Sequence, residues 1–279
     1  CIATGIRRTR MLRSGYFYAP KAHAEKIGVN MSNKIFYPSN TEGLDEIAES
    51  LLNEETATAG NSAALEDKTD FWRIDNVPYG NRVCSVGLAK TLLDSGNAKT
   101  QDEWAEYSRQ ARQSNGFYAG SFPLYYSLFS HLHDLRENPS MRNTAEEARQ
   151  FISKQMFEKY LMTLTRLQYK AIGDDIIVHN YGMPDQSQAS GNLTGKNGWI
   201  TNADTDAQGM LELLTGESNA AKVNEIYKWI TGKESYLWRV NSKQDTERVA
   251  RFGADSGGAF LICGRLPRGS FASLGVKIL

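Results

Sequence analysis

Cysteine is scarce in this chain: Cys1, Cys84 and Cys263 are the only three in 279 residues, far apart and with no CxxC pair. That excludes a disulfide framework and removes thiol-redox and structural zinc readings, which need closely spaced thiols. Net charge is missing too, with 32 basic against 32 acidic side chains, so no whole-molecule field draws the chain to nucleic acid. No apolar run approaches the roughly 20 residues that span a bilayer, and no signal-like apolar segment opens the chain, so membrane insertion is not expected.

The most telling absence is local. Between Val249 and Val276 there is no Lys, Glu, Gln, Met or Trp, although all five occur upstream. Surface loops ordinarily recruit Lys and Glu, so the gap needs a cause. What the segment does hold is Val249, Phe252, Phe260, Leu261, Ile262, Leu274 and Val276 in short clusters, separated by Gly257, Gly258, Gly264, Pro267 and Gly269. Gly supplies positive φ cheaply, and Pro fixes a turn while removing a ladder donor, so this spacing predicts three or four short strands joined by tight turns. Such a segment cannot form a core alone. It must close a sheet whose other elements lie upstream.

Upstream, Thr41 can cap a helix carrying Leu44, Ile47, Ala48 and Leu51, the polar stretch 53–67 reads as a loop, and 83–93 as a short apolar helix or strand. From Thr100 the pattern sharpens. Thr100 with Glu103 and Thr144 with Glu147 read as capping boxes, and Phe122-Pro123 opens a helix striped by Leu124, Leu128, Leu132 and Leu135. Alternation over 160–169, a Gly173-Asp174 turn and 175–180 predict a hairpin. Asp204 or Asp206 caps a helix reaching Leu214, and Val223, Ile226, Tyr227 and Ile230 mark another, closed at Gly232. The stretch 236–240 reads as a core strand, with Trp229 and Trp238 as core pillars. The expected division is an irregular, partly helical extension over 1–99, either packed on the core or a separate domain, and a domain over 100–279.

The resemblance rests on the tail. Arg248-Val249, Ala254, Ser256, Ala259, Leu261, Cys263, Arg265, Pro267, Ser270 and Leu274-Gly275-Val276 resemble the fixed frame of the variable region, about 248–276, in variable proteins of diversity-generating retroelements. Lys277 stands where Arg would be expected. The resemblance implies an α+β, C-type lectin-like fold of the subtype shared with the formylglycine-generating enzyme, in which two helices flank a small, mixed, mostly antiparallel sheet. The helices opened by Phe122 and Thr144 are the candidates.

In that family, mutagenic reverse transcription rewrites adenines in AAY codons, which reach Gly, Asp, Phe, Ile, Leu, Arg and Ser but never Lys, Glu, Gln, Met or Trp. The positions interleaved with the frame are Gly253, Asp255, Gly257, Gly258, Phe260, Ile262, Gly264, Leu266, Arg268, Gly269, Phe271 and Ser273, all within the reachable set. The resemblance makes these twelve the ligand-binding positions of a protein without catalysis or cofactor. Its ligand is then a macromolecule, with protein the expected class, met on a cell surface or a virion.

The rival class is an enzyme. Cys1 could serve as an amidohydrolase nucleophile with its own amino group as base, although the basic, unpatterned Arg7-Arg8-Thr9-Arg10 that follows suits it poorly and a mere starting residue is the plainer reading. A formylglycine-type oxidase needs paired cysteines, and Cys263 has none nearby in sequence. Metal sites fare worse. His131 and His133, two apart, diverge on a helix, while Asn202, Asp204 and Asp206 lack the Gly and Glu that a calcium loop requires, having Ala207 and Leu213 there. His179 at a strand end reads as a hydrogen-bonded structural residue. The stretch 191–196 departs from a phosphate loop in glycine spacing and in Asn197, and Asn192-Leu193-Thr194 is a glycosylation triplet of a kind common by chance.

Overall fold

The computed structural model describes residues 64–279; Cys1 and the helix expected after Thr41 lie outside the described residues. The class is α+β, with two sheets and five α-helices among the described residues. β1 (Leu65–Asp67), β2 (Phe71–Tyr79) and β3 (Arg82–Leu92) form an antiparallel meander, and β11 (Leu274–Ile278) completes a four-stranded sheet in the order β1-β2-β3-β11. Val276 lies opposite Leu88, so the last strand closes on one of the first. The described residues before Thr100 belong to the same compact unit as those after it.

The second sheet is made of β4 (Leu161–Tyr169), β5 (Asp175–His179), β6 (Ser187–Gly191), β7 (Gly198–Trp199), β8 (Ser235–Trp238), β9 (Thr246–Asp255) and β10 (Gly258–Arg265), ordered β6-β5-β4-β9-β10-β8-β7. Only the β10–β8 pair is parallel; the sheet is therefore mixed and mostly antiparallel. The hairpin expected over 160–180 is present as β4 and β5, and the tail supplies three strands.

The helices are α1 (Gln101–Gln113), α2 (Phe122–Leu135), α3 (Arg142–Glu158), α4 (Thr205–Thr215) and α5 (Ala220–Thr231). α1 opens on the expected capping box, Glu103 N–H donating to Thr100 Oγ1 and the Glu103 carboxylate accepting from Thr100 N at 2.7 Å. Asp204 caps α4 by accepting from Ala207 N at 2.8 Å, and α5 stops at Gly232 with φ 71°. α3 departs from expectation. It begins at Arg142 because a turn ending there directs Arg142 N–H onto the Asn138 carbonyl, 3.0 Å away, which leaves Thr144 inside the helix with no capping role.

α2 and α3 touch both sheets. Phe122, Tyr125 and Phe129 of α2 meet the Phe252 ring of β9 edge-on, and Phe151 of α3 lies 5.5 Å from the Trp72 ring of β2. These contacts anchor the main apolar core, on what we call the inner face of the seven-stranded sheet. α1 alone covers part of the outer face, burying Trp104 and Ala105 against Met162, Leu164 and Val249. It is pinned there by Gln101, whose amide donates to the carbonyls of Thr163 (2.8 Å) and Thr165 (2.9 Å) where the β4–β9 register is interrupted.

Candidate functional site

Alternation along β9 and β10 sorts their side chains onto two faces. Ala250, Phe252, Ala254, Ala259, Leu261 and Cys263 enter the inner core. Their neighbours Arg251, Gly253, Phe260 and Ile262 turn outward, and cross-strand register aligns them into rows. Phe260 stands opposite Gly253 on β9 and Tyr236 on β8, with Trp199 of β7 beyond; Ile262 stands opposite Arg251 and Trp238.

The outer ends of these rows form a connected aromatic surface. Ring centroids are 5.2 Å apart for Trp199–Tyr236, 5.1 Å for Tyr236–Trp238 and 6.4 Å for Tyr236–Phe260. Trp199 remains 40% exposed and Trp238 44%. Aromatic groups in a cluster left facing water are typical of contact surfaces. Trp238, expected as a core pillar, therefore stands outside: within β8 its neighbour Leu237 takes the inward position, and alternation puts Trp238 on the opposite face. Trp229 is partly buried, 5.3 Å edge-on from the His133 ring.

The twelve interleaved positions do not share one environment. Phe260 and Ile262 belong to the outer face, although Ile262 is only 9% exposed. Gly253 is buried beneath the Tyr160 ring, where a built Cβ would lie 2.5 Å from Tyr160 Cδ1, and Gly258 is buried 3.3 Å from the Trp199 ring on the same measure. Asp255 and Gly257 occupy the exposed β9–β10 turn, and Gly264 edges β10. Leu266 and Arg268 are exposed with Gly269 in the turn after β10, closed by Gly269 N–H to the Leu266 carbonyl at 3.1 Å, and Phe271 is half-buried.

Ser273 breaks the pattern. It is fully buried, its Oγ donating to the Met162 carbonyl at 2.9 Å and lying 3.3 Å from Tyr125 Oη. The loop between β10 and β11 carries no strand alternation, so interleaving there does not imply facing outward. Frame positions Ser256 in the β9–β10 turn, Arg265 at the end of β10 and Ser270 in the loop are exposed.

Arg251 went unrecognised in the sequence, where nothing but its outward parity between Val249 and Gly253 marks it. It is 1% exposed, with its guanidinium carbon 3.7 Å from the Phe271 ring centroid and 5.3 Å from that of Tyr160. Its Nε and Nη1 have no hydrogen-bond partner among the described residues. Burial, reinforced by the nearby Arg265 charge, pulls its pKa down to about 10.

A separate cavity of about 680 Å³ opens near the β2–β3 turn, lined by Tyr79, Tyr126, Asn180, Asp185, His179 and Lys222 among others. Its histidine is not a poised base. His179 Nδ1 lies 3.0 Å from Thr165 Oγ1 and Nε2 3.0 Å from the Leu213 carbonyl, and burial drives its pKa down to about 4. Asp185 is taken by Arg112 at 2.6 Å. Among the described residues no group of three or more His, Cys, Asp or Glu is placed to hold a metal ion, and no helix is long and apolar enough to cross a membrane. No family model, curated protein or solved structure matches the chain.

Proposed function

We propose that the outer face of β7, β8, β10 and β9, together with the 266–271 loop, binds a macromolecular ligand, and that the chain acts by recognition without chemistry of its own. In this reading it is a variable protein of a diversity-generating retroelement with a C-type lectin-like fold, and diversification rewrites the part of that face supplied by β9, β10 and the 266–271 loop, beside the fixed rings of β7 and β8. One observation carries the proposal: within β9 and β10, frame residues Ala254, Ala259, Leu261 and Cys263 fill the core, while interleaved Phe260 and Ile262 join Trp199, Tyr236 and Trp238 on the other side. Surface side chains change with little cost to folding, and a rigid sheet presenting replaceable groups suits recognition. The α+β class and the mixed, mostly antiparallel sheet support this reading, while the sheet, with seven strands and a four-stranded companion, is larger than the small one the resemblance implied.

The paired-cysteine oxidase is disfavoured by specific contacts. Cys263 is fully buried on the inner face, its thiol pushed up to about 12 by desolvation, and Cys84 sits in the other sheet with its Sγ 3.6 Å from the Val77 carbonyl.

The test has a genetic and a protein arm. The DNA beside the gene should hold a near-copy of the codons for 248–276, with adenines where interleaved positions differ, next to a reverse transcriptase gene. In the protein, a library placing AAY-reachable residues at Phe260, Ile262, Leu266 and Arg268 should fold in most members, read as cooperative thermal unfolding. A missing near-copy together with a largely unfolded library would end the proposal.

A further inference from the structure

We infer that Arg251 is a built-in receptor for an oxyanion, so that the ligand of the outer face presents a carboxylate, phosphate or sulfate group to it. The inference deepens the binding reading and rests on it for the role of that face. The anion site itself can be tested on its own.

Among the described residues the fold buries three arginines, and two of them are supplied with partners. Arg166 is 5% exposed and fully engaged: Nε donates to Gln101 Oε1 at 2.8 Å, Nη1 to Tyr181 Oη at 2.6 Å and Nη2 to Asp102 Oδ1 at 2.7 Å. Arg239 donates from Nε to the Lys196 carbonyl at 3.0 Å and from Nη1 to that of Thr194 at 3.4 Å, with Asp204 3.8 Å from Nη2. Where this chain buries a guanidinium for structure, it supplies acceptors. Arg251 is more enclosed than either and has neither acceptor nor carboxylate partner among the described residues. The Phe271 ring lies 3.7 Å from its guanidinium carbon and the Tyr160 ring 5.3 Å, Nε and Nη1 are left without acceptors, and a planar fork of donors fits an oxyanion.

Local charge points the same way. Although the whole chain is neutral, residues 248–279 hold Arg248, Arg251, Arg265, Arg268 and Lys277 against Asp255 alone. Arg265 lies close enough to depress the Arg251 pKa. An anion would therefore relieve two like charges at once.

The Tyr160 ring is the way in. It is 37% exposed, and its hydroxyl makes one long contact, 3.5 Å to Asp255 Oδ2. Phe271 is better fixed, with its N–H and carbonyl both bonded to Lys99 and its carbonyl also accepting from Trp104 Nε1 at 2.7 Å. Gly253 under Tyr160, Asp255 at its hydroxyl, Ile262 opposite Arg251 and Phe271 over it are all interleaved positions. The arrangement is an anion receptor ringed by interleaved residues that would tune access to it.

The experiment is thermal unfolding of the full chain in inorganic phosphate, and separately in acetate, against chloride at equal ionic strength. With ligand at roughly ten times its Kd, the wild type should gain about 3–5 °C in either arm that matches the ligand's acidic group, a carboxylate for acetate or a tetrahedral oxyanion for phosphate. Arg251→Met should lose that gain, and Tyr160→Ala, which uncovers the guanidinium, should respond at lower anion concentration. Equal responses in wild type and Arg251→Met, or none in both wild type and Tyr160→Ala, would overturn the inference. Should Arg251→Met not fold, the wild-type and Tyr160→Ala titrations decide it. An Arg251-dependent response combined with failure of both arms of the binding test would leave an anion site standing without a diversified surface.

Discussion

The two faces of β9 and β10 obey opposite rules within one stretch of chain. Inward, Ala254, Ala259, Leu261 and Cys263 are small or apolar and enclosed in the main core, beside Phe252, which meets the rings on α2. Outward, Phe260, Tyr236, Trp238 and Trp199 are large, partly wet, and matched mainly to one another. A residue's worth to the fold is therefore set by strand parity and not by how hydrophobic it is. The sharpest way to break this contrast is a matched pair. Leu261→Ala removes a fully buried side chain and should cost about 3 kcal/mol, whereas Phe260→Ala, one residue away and larger, should cost less than about 1 kcal/mol. Denaturant midpoints measure both, and equal losses would abolish the distinction.

A smaller effect sharpens the contrast by pH. His179 has its pKa lowered from 6.5 to about 4 by burial, so between those values the unfolded chain binds the extra proton and stability falls as the solution is acidified. The loss should be about 1.5 kcal/mol between pH 6.5 and pH 5, reach about 2.5 kcal/mol by pH 4 and level off below that. His179→Gln should flatten that part of the profile, with shared carboxylate effects entering lower. Phe260 and Trp238 carry no ionisable group, so replacing either should leave the slope unchanged. A slope that survives in His179→Gln would mean the proton is taken up elsewhere.

What could be read in the sequence was local. The Thr100–Glu103 box and the Asp204 cap need only neighbouring residues, and both are present. Thr144–Glu147 has the same letters but fails, since the turn at Asn138 starts α3 earlier. Alternation divides β8 and β10 into two faces without saying which is inside, so Trp238 reads as a core residue in sequence although Leu237 holds that place. The β3–β11 pairing joins segments from opposite ends of the described chain, and no local pattern encodes it, which is why residues before Thr100 read as an extension. Ser273 was missed for a related reason: parity counts only where a strand continues, and the 266–273 loop interrupts it. Arg251 was hidden because its defining property is an absence of partners, which only three dimensions expose.

The smallest expected effect is the most discriminating, and it concerns two glycines under comparable crowding. A Cβ at Gly253 would lie 2.5 Å from the Tyr160 ring, and one at Gly120 would lie 2.9 Å from Val276 Cγ2 and 3.1 Å from the Tyr125 ring. Contact distance alone would rank Gly253→Ala as the worse substitution. The neighbours reverse that order. Val276 and Tyr125 are fully buried and Tyr125 Oη donates to the Leu274 carbonyl at 2.8 Å, so the structure around Gly120 cannot yield, and overpacking there should cost about 2 kcal/mol. Tyr160 is partly exposed and weakly tethered, so it can swing aside. Neither position has positive φ, and Ala reduces the freedom of the unfolded chain, which offsets part of the strain. Gly253→Ala should therefore lose less than about 1 kcal/mol while displacing the Tyr160 ring and raising the phosphate response, as Tyr160→Ala does. A loss as large as that of Gly120→Ala would place Gly253 in the core, and the outer face would then be a second packed layer instead of a surface built for replacement.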